Sequence, residues 1–173
     1  MARIIPTYET VFIARQPVFR SNETVWGYEL LFRSSAENIA LVTDEDRATS
    51  SVIADGLAMA TDGMDSDSRI LINFPEKLLV EDGGFSLPKE RCIIEILEHV
   101  KPHEETLQAV KRLKDAGYTI AVDDYCGQFH LQPFLDLADI IKVDILEFGS
   151  DFEQIKKIVH RAPEGVTLLA EKG

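Results

Sequence analysis

The chain contains two cysteines, Cys92 and Cys126, and one tryptophan among 173 residues. Two thiols are too few for a disulfide framework or a cysteine-only zinc site, so an apolar core must hold the fold. No run approaches ~18 consecutive apolar residues, which excludes a transmembrane helix. The start, Met-Ala-Arg-Ile-Ile-Pro, lacks the apolar stretch and cleavage site of a signal peptide, so a cytoplasmic location is expected. Basic residues are also scarce. Lys and Arg number 18 against 30 Asp and Glu, a formal charge of −12. That imbalance disfavours a nucleic-acid polymer as partner, because phosphate backbones need a positive face to replace their counterions. It leaves room for a small phosphate ligand, since carboxylates can hold a divalent metal that does the neutralising.

What is present is material for a core: 45% of the residues are hydrophobic and 28% charged. The length suits a single domain over residues 1–173. Two β-rich stretches, Thr10–Phe19 and Thr24–Phe32, read as a hairpin. A helix is expected over about Asp44–Thr61, with Asp44 as its cap. Thr61–Ser68 and Val80–Pro88 read as loops.

Short continuous apolar runs follow at Arg69–Asn73, Cys92–Ile96, Thr119–Val122, Ile140–Val143 and Val166–Ala170. Unbroken apolarity suits strands buried on both faces, as in a parallel sheet. Helical periodicity falls between them, over His103–Ala116 with Leu107, Val110 and Leu113 on one face, and over Ser150–Arg161. Strand and helix in alternation predict an α/β fold.

Each late strand ends in a polar or ionisable residue: Asn73, Glu95, Asp123 with Asp124, Lys142 and Glu171; Glu29 lies inside the second early strand. One acidic strand end is commonly a solvated edge or a helix cap. Five strand ends in series, none apolar, fit the catalytic face of a (β/α) barrel instead, where such residues converge. The set is rich in oxygen ligands suited to a hard cation such as Mg²⁺ or Mn²⁺. His99, His103, His130 and His160 show no metal spacing and read as surface or loop residues, and Trp26 reads as a packing residue.

At these positions the sequence resembles the EAL family, which hydrolyses the bacterial messenger cyclic di-GMP. Glu29-Leu-Leu-Phe-Arg33 resembles its Glu-x-Leu-x-Arg signature, and Gln16-Pro17 the Gln-Pro of its first strand. Asn73, Glu95-Ile-Leu-Glu98, Asp123-Asp124, Ile141-Lys142-Val143-Asp144 and Ala170-Glu171 follow in the family's order. The resemblance implies a TIM-like (β/α) barrel whose Glu29, Asn73, Glu95 and Asp123 bind metal directly. It implies a second ion at Asp124, Lys142 positioning the attacking water, and Glu171 on metal-bound water. Gln16, Leu31 and Arg33 would hold the dinucleotide, Glu98 would brace the loop after Asp124, and the product would be linear pGpG.

The sequence departs from the family in three places. After Asp124 the family has Phe-Gly-Thr-Gly-Tyr-Ser-Ser, where this chain reads Tyr125-Cys126-Gly127-Gln128-Phe129-His130. The Leu-Phe-Arg variant resembles the subgroup in which an EAL domain precedes an HDOD domain, whose members often signal without catalysis. The chain also stops two residues past Glu171, where the family adds strands; a full barrel takes roughly 250 residues. An incomplete barrel is therefore expected, as a piece of a longer chain or one that self-associates. Phosphodiesterase and binding module both stay open at this point.

Overall fold

The computed structural model describes residues 11–34, 56–149 and 151–171, and for 11, 12 and 32–34 the backbone alone. Seven strands form one sheet in sequence order. They are β1 (Val11–Phe19), β2 (Val25–Ser34), β3 (Arg69–Phe74), β4 (Cys92–Ile96), β5 (Thr119–Tyr125), β6 (Ile140–Asp144) and β7 (Thr167–Glu171). β1 runs antiparallel to β2, and every later pair is parallel. Helices α1 (Glu76–Val80), α2 (Glu104–Asp115), α3 (Gln132–Leu135) and α4 (Phe152–Arg161) lie in the connections. Of the helix expected over Asp44–Thr61, residues 56–60 are helical and 44–55 lie outside the described residues. Among the described residues no helix is long and apolar enough to cross a membrane.

The apolar runs of β3 to β6 are strands buried on both faces over most of their length, whereas β7, expected to be the same, is half-buried to exposed throughout. One face packs under the helices: Ile70, Ile72, Ile94, Ile96, Ile120, Val122 and Ile141 join Leu79, Val110, Leu113 and Phe134 in the larger core. The other face turns inward, where Leu71, Ile93, Ala121 and Ile140 form a second, smaller cluster flanked by Val18, Trp26 and Leu169. Trp26 is thus a packing residue, as expected. Because neighbouring strands lie ~4.8 Å apart, β2 and β6 would stand ~19 Å apart in a flat sheet. Lys142 of β6 nevertheless reaches Glu29 of β2 at 3.0 Å, so the sheet curls into most of a barrel. Its architecture is that of a (β/α) barrel carrying seven strands.

α2 shows why local sequence gives this packing. Thr106, Ala109, Val110 and Leu113 recur at helical spacing and are buried. Glu104 and Glu105 favour its first turn and Arg112 and Lys114 its last. It ends where Gly117 turns left-handed at φ 91°. The buried stripe is rotated from the expected one, since Leu107 is only half-buried. The Val80–Pro88 loop contains a 3₁₀ turn at Gly83–Ser86, where Gly84 lies so close to Leu113 that an added Cβ would sit 2.9 Å from its Cδ2.

Candidate functional site

Strand alternation points Glu29, Asn73, Glu95, Asp123, Lys142 and Glu171 to the inner face, one layer above the small apolar cluster. The solvated-edge alternative fails at once for most of them. Glu95 is 0% exposed, Lys142 1%, and Glu29 and Asp123 6% each. The ammonium of Lys142 is the hub. Its Nζ lies 3.0 Å from Glu29 Oε2, 3.0 Å from Glu95 Oε1, 2.7 Å from Asp123 Oδ1 and 3.1 Å from Glu171 Oε2. Asn73 Nδ2 donates to Glu29 Oε1 at 3.4 Å.

One ammonium has three protons and faces four carboxylates, so the cluster is short of positive charge. Asn73 Oδ1 and Glu95 Oε2 are buried without a partner among the described residues, and Glu95 Oε1, Asp123 Oδ1 and Glu171 Oε2 have only the shared ammonium. The proton affinities record the same shortage. Burial raises Glu95 well above the usual carboxylate range, and Glu29 and Asp123 add to the rise that Lys142 opposes. Burial also pushes Glu171 up to about 7 against the pull of Lys142. For Lys142, burial works toward the neutral amine, but Glu95, Asp123 and Glu29 overcome it and hold the side chain protonated above its ordinary value. Buried oxygens that share one ammonium among four carboxylates are what a divalent cation would satisfy, and the oxygen donor set fits a hard metal.

A bulge completes the mouth. Val122 pairs with Ile141 and Tyr125 with Val143, so Asp123 and Asp124 together oppose Lys142. Asp124 absorbs the extra residue at φ 43°, in the left-handed region. Consecutive aspartates, which a regular strand would send to opposite faces, thereby serve one site. Ligand atoms of Glu98, Asp123 and Asp124 lie within 4.8 Å of one another. Burial, then Asp123 and Glu98, raise Asp124 above its ordinary value.

The remaining expected positions are more peripheral. Gln16 is exposed on β1, in register with Glu29. Leu31 is half-buried, two residues beyond Glu29 toward the mouth. Arg33 pairs with Phe12 in the sheet, and its side chain lies outside the described residues. All four histidines are exposed, as expected. Composition and motif order missed Gln128, whose side chain accepts from Cys126 N–H at 2.8 Å and donates to Asp124 C=O at 2.9 Å. They also gave no role to Asp144, which is buried and accepts the N–H groups of Leu146 and Glu147 at the end of β6.

No protein-family profile matches the chain. Over 147 residues it is 37% identical to the cyclic di-GMP phosphodiesterase CdgJ of Vibrio cholerae; the match covers 84% of this chain and 34% of that protein. The chain therefore spans about a third of that relative's length. Among solved structures, Klebsiella pneumoniae BlrP1 in a manganese and cyclic di-GMP complex superposes with a TM-score of 0.71 at 20% identity, covering 94% of this chain and 52% of that one. Bacillus subtilis YkuI, a protein with an EAL domain in complex with cyclic di-GMP and calcium, gives a TM-score of 0.68 at 23% identity, covering 92% and 47%. The curled seven-stranded sheet, the order of its inward polar residues and these likenesses agree: the chain is a member of the EAL domain family.

Proposed function

We propose that the chain is a metal-dependent phosphodiesterase that opens cyclic di-GMP to linear pGpG. The observation that carries this is a buried set of carboxylate and amide oxygens that share one ammonium, Lys142, as their counterion. Likeness to a cyclic di-GMP phosphodiesterase supports the substrate. Glu29, Asn73, Glu95 and Asp123 would hold one Mg²⁺ or Mn²⁺, and Asp124 beside Asp123 would hold a second. Two such ions supply Lewis-acid charge to both the attacking and the leaving oxygen of an in-line displacement. Lys142 holds its proton firmly, so its Nζ orients the attacking water and does not act as a base. Glu171, beside it, accepts a hydrogen bond from the same water. Attack forms one P–O bond and breaks the P–O3′ bond; the 3′-oxygen leaves with a proton, and the water oxygen becomes part of the new 5′-phosphate. Gln16, Leu31 and Arg33 would line the dinucleotide, and Glu98 would support the loop behind Asp124.

The replaced loop Tyr125–His130 favours a second reading, a module that binds cyclic di-GMP or a protein partner with little or no turnover. In either case the module would act in cytoplasmic second-messenger signalling, as one EAL-type domain over residues 1–173. It would act as a homo-oligomer or beside a further signalling domain such as HDOD. Incubation of cyclic di-GMP with the chain and Mn²⁺ or Mg²⁺, followed by chromatography, tests both. pGpG that disappears in Glu29→Ala supports the enzyme. No product from folded, Mn²⁺-loaded protein overturns it, and retained cyclic di-GMP binding would then support the module.

A further inference from the structure

The loop after β5 differs from the family's, yet both aspartates of the bulge still face the mouth. Asp124 adopts a left-handed conformation that aspartate tolerates better than most residues with a Cβ, and the loop behind it can fix that conformation. The side-chain amide of Gln128 is placed to do so. Its Oε1 accepts from Cys126 N–H at 2.8 Å and its Nε2 donates to Asp124 C=O at 2.9 Å. One planar group thus bridges the two peptide units on either side of Tyr125. Gly127, at φ 104°, turns the chain back so that residue 128 can reach. The loop is anchored again just beyond: His130 Nε2 lies 3.1 Å from the carbonyl oxygen of Glu98, and Leu131 is fully buried. The loop is therefore tied both to the backbone of Asp124 and to the segment that presents Glu98.

We propose that Gln128 is a positioning residue for the divalent-cation site, clamping the Asp124–Cys126 backbone so that the carboxylates of Asp123 and Asp124 meet Glu98 at one mouth. The proposal rests on the reading of that mouth as a cation site.

The test is a titration of Mn²⁺ into the whole chain, with the free ion read from its electron paramagnetic resonance signal. Wild type is compared with Gln128→Met, which keeps the size and loses both hydrogen bonds. A second variant, Gln128→Asn, keeps the amide but is one methylene short of spanning both peptide groups. The thermal midpoint of each metal-free protein is read in parallel. The expected result is at least one Mn²⁺ site weakened about tenfold or more in both variants, the size typical of losing an outer support of a metal ligand, with thermal midpoints within a few degrees of wild type. Equal Mn²⁺ affinity in all three proteins overturns the proposal. So does a lowered midpoint with unchanged affinity, which would make Gln128 a merely structural residue. Should Gln128→Met fail to fold, the Asn variant carries the same comparison. Wild type that binds no Mn²⁺ overturns the cation site itself, a result distinct from equal binding by all three.

Discussion

Lys142 Nζ stands 2.7 Å from Asp123 Oδ1, the shortest of its four carboxylate contacts, in a layer that solvent barely reaches. In the metal-free chain this ammonium is the counterion of the site. Removing one partner from a buried ionic cluster leaves uncompensated charge and typically costs ~3–5 kcal/mol. In a domain of this size that corresponds to a fall of roughly 10 °C in thermal midpoint. Lys142→Met in EDTA is expected to show such a fall, and saturating Mn²⁺ to restore most of it. Scanning calorimetry with and without metal checks this; a midpoint that EDTA leaves at the wild-type value counts against it.

Glu171 gives the pH dependence a definite sign. Its folded value is raised from 4.5 to about 7, so over that window the folded chain binds more protons than the unfolded one, and stability falls as pH rises. Glu171→Gln cannot ionise and escapes the loss. In EDTA the variant should match wild type in acid and become the more stable protein as pH climbs from about 5 to 7. Thermal midpoints of both proteins across that range provide the comparison, and parallel curves would refute it.

The two thiols should separate cleanly. Cys92 is fully buried, and burial pushes its thiol up to about 11, with Arg91 pulling the other way. Cys126 is partly exposed in the loop after β5. Ellman's reagent at pH 8 is expected to titrate one thiol in the native protein and two in denaturant, with the native signal lost in Cys126→Ala. Two fast native thiols would mean that the β3–β5 region opens readily.

Gly27 packs edge-on against β3. A Cβ there would lie 2.5 Å from the carbonyl oxygen of Arg69, a backbone atom held in the sheet. Gly27→Ala must push β2 and β3 apart, at a cost of ~1–3 kcal/mol by the measure of overpacked interiors. A midpoint drop of several degrees is the expected result; an unchanged midpoint would show that the two strands yield without penalty.

The parts of this molecule legible in its sequence are those where one physical rule acts alone. Cys92–Ile96 is buried along its whole length, and its unbroken apolarity says so directly. The rule misleads at β5. The apolar run stops at Val122 and the two aspartates close it, yet β5 continues to Tyr125 through a bulge that no apolarity pattern marks. α1 and α3, with five and four residues, are too short for any periodicity to register. In the site, Glu95 and Lys142 were visible through the contrast of a charge ending an apolar run. Their burial was not visible, since it depends on a curl that joins β2 to β6. Gln128 left no signal: its two hydrogen bonds are to backbone atoms, which the turn at Gly127 brings within reach.

The small cluster of Leu71, Ile93, Ala121 and Ile140 lies directly beneath the charged layer. A floor with no polar side chains screens little of what stands on it, so the field of the charged layer is felt mainly at the mouth. An anion approaching from that side meets repulsion for as long as the mouth stays negative, and a cation meets attraction. On the proposed function, the positive ion would then add first and the phosphate-bearing guest second. A guest offered alone should dock slowly and leave quickly.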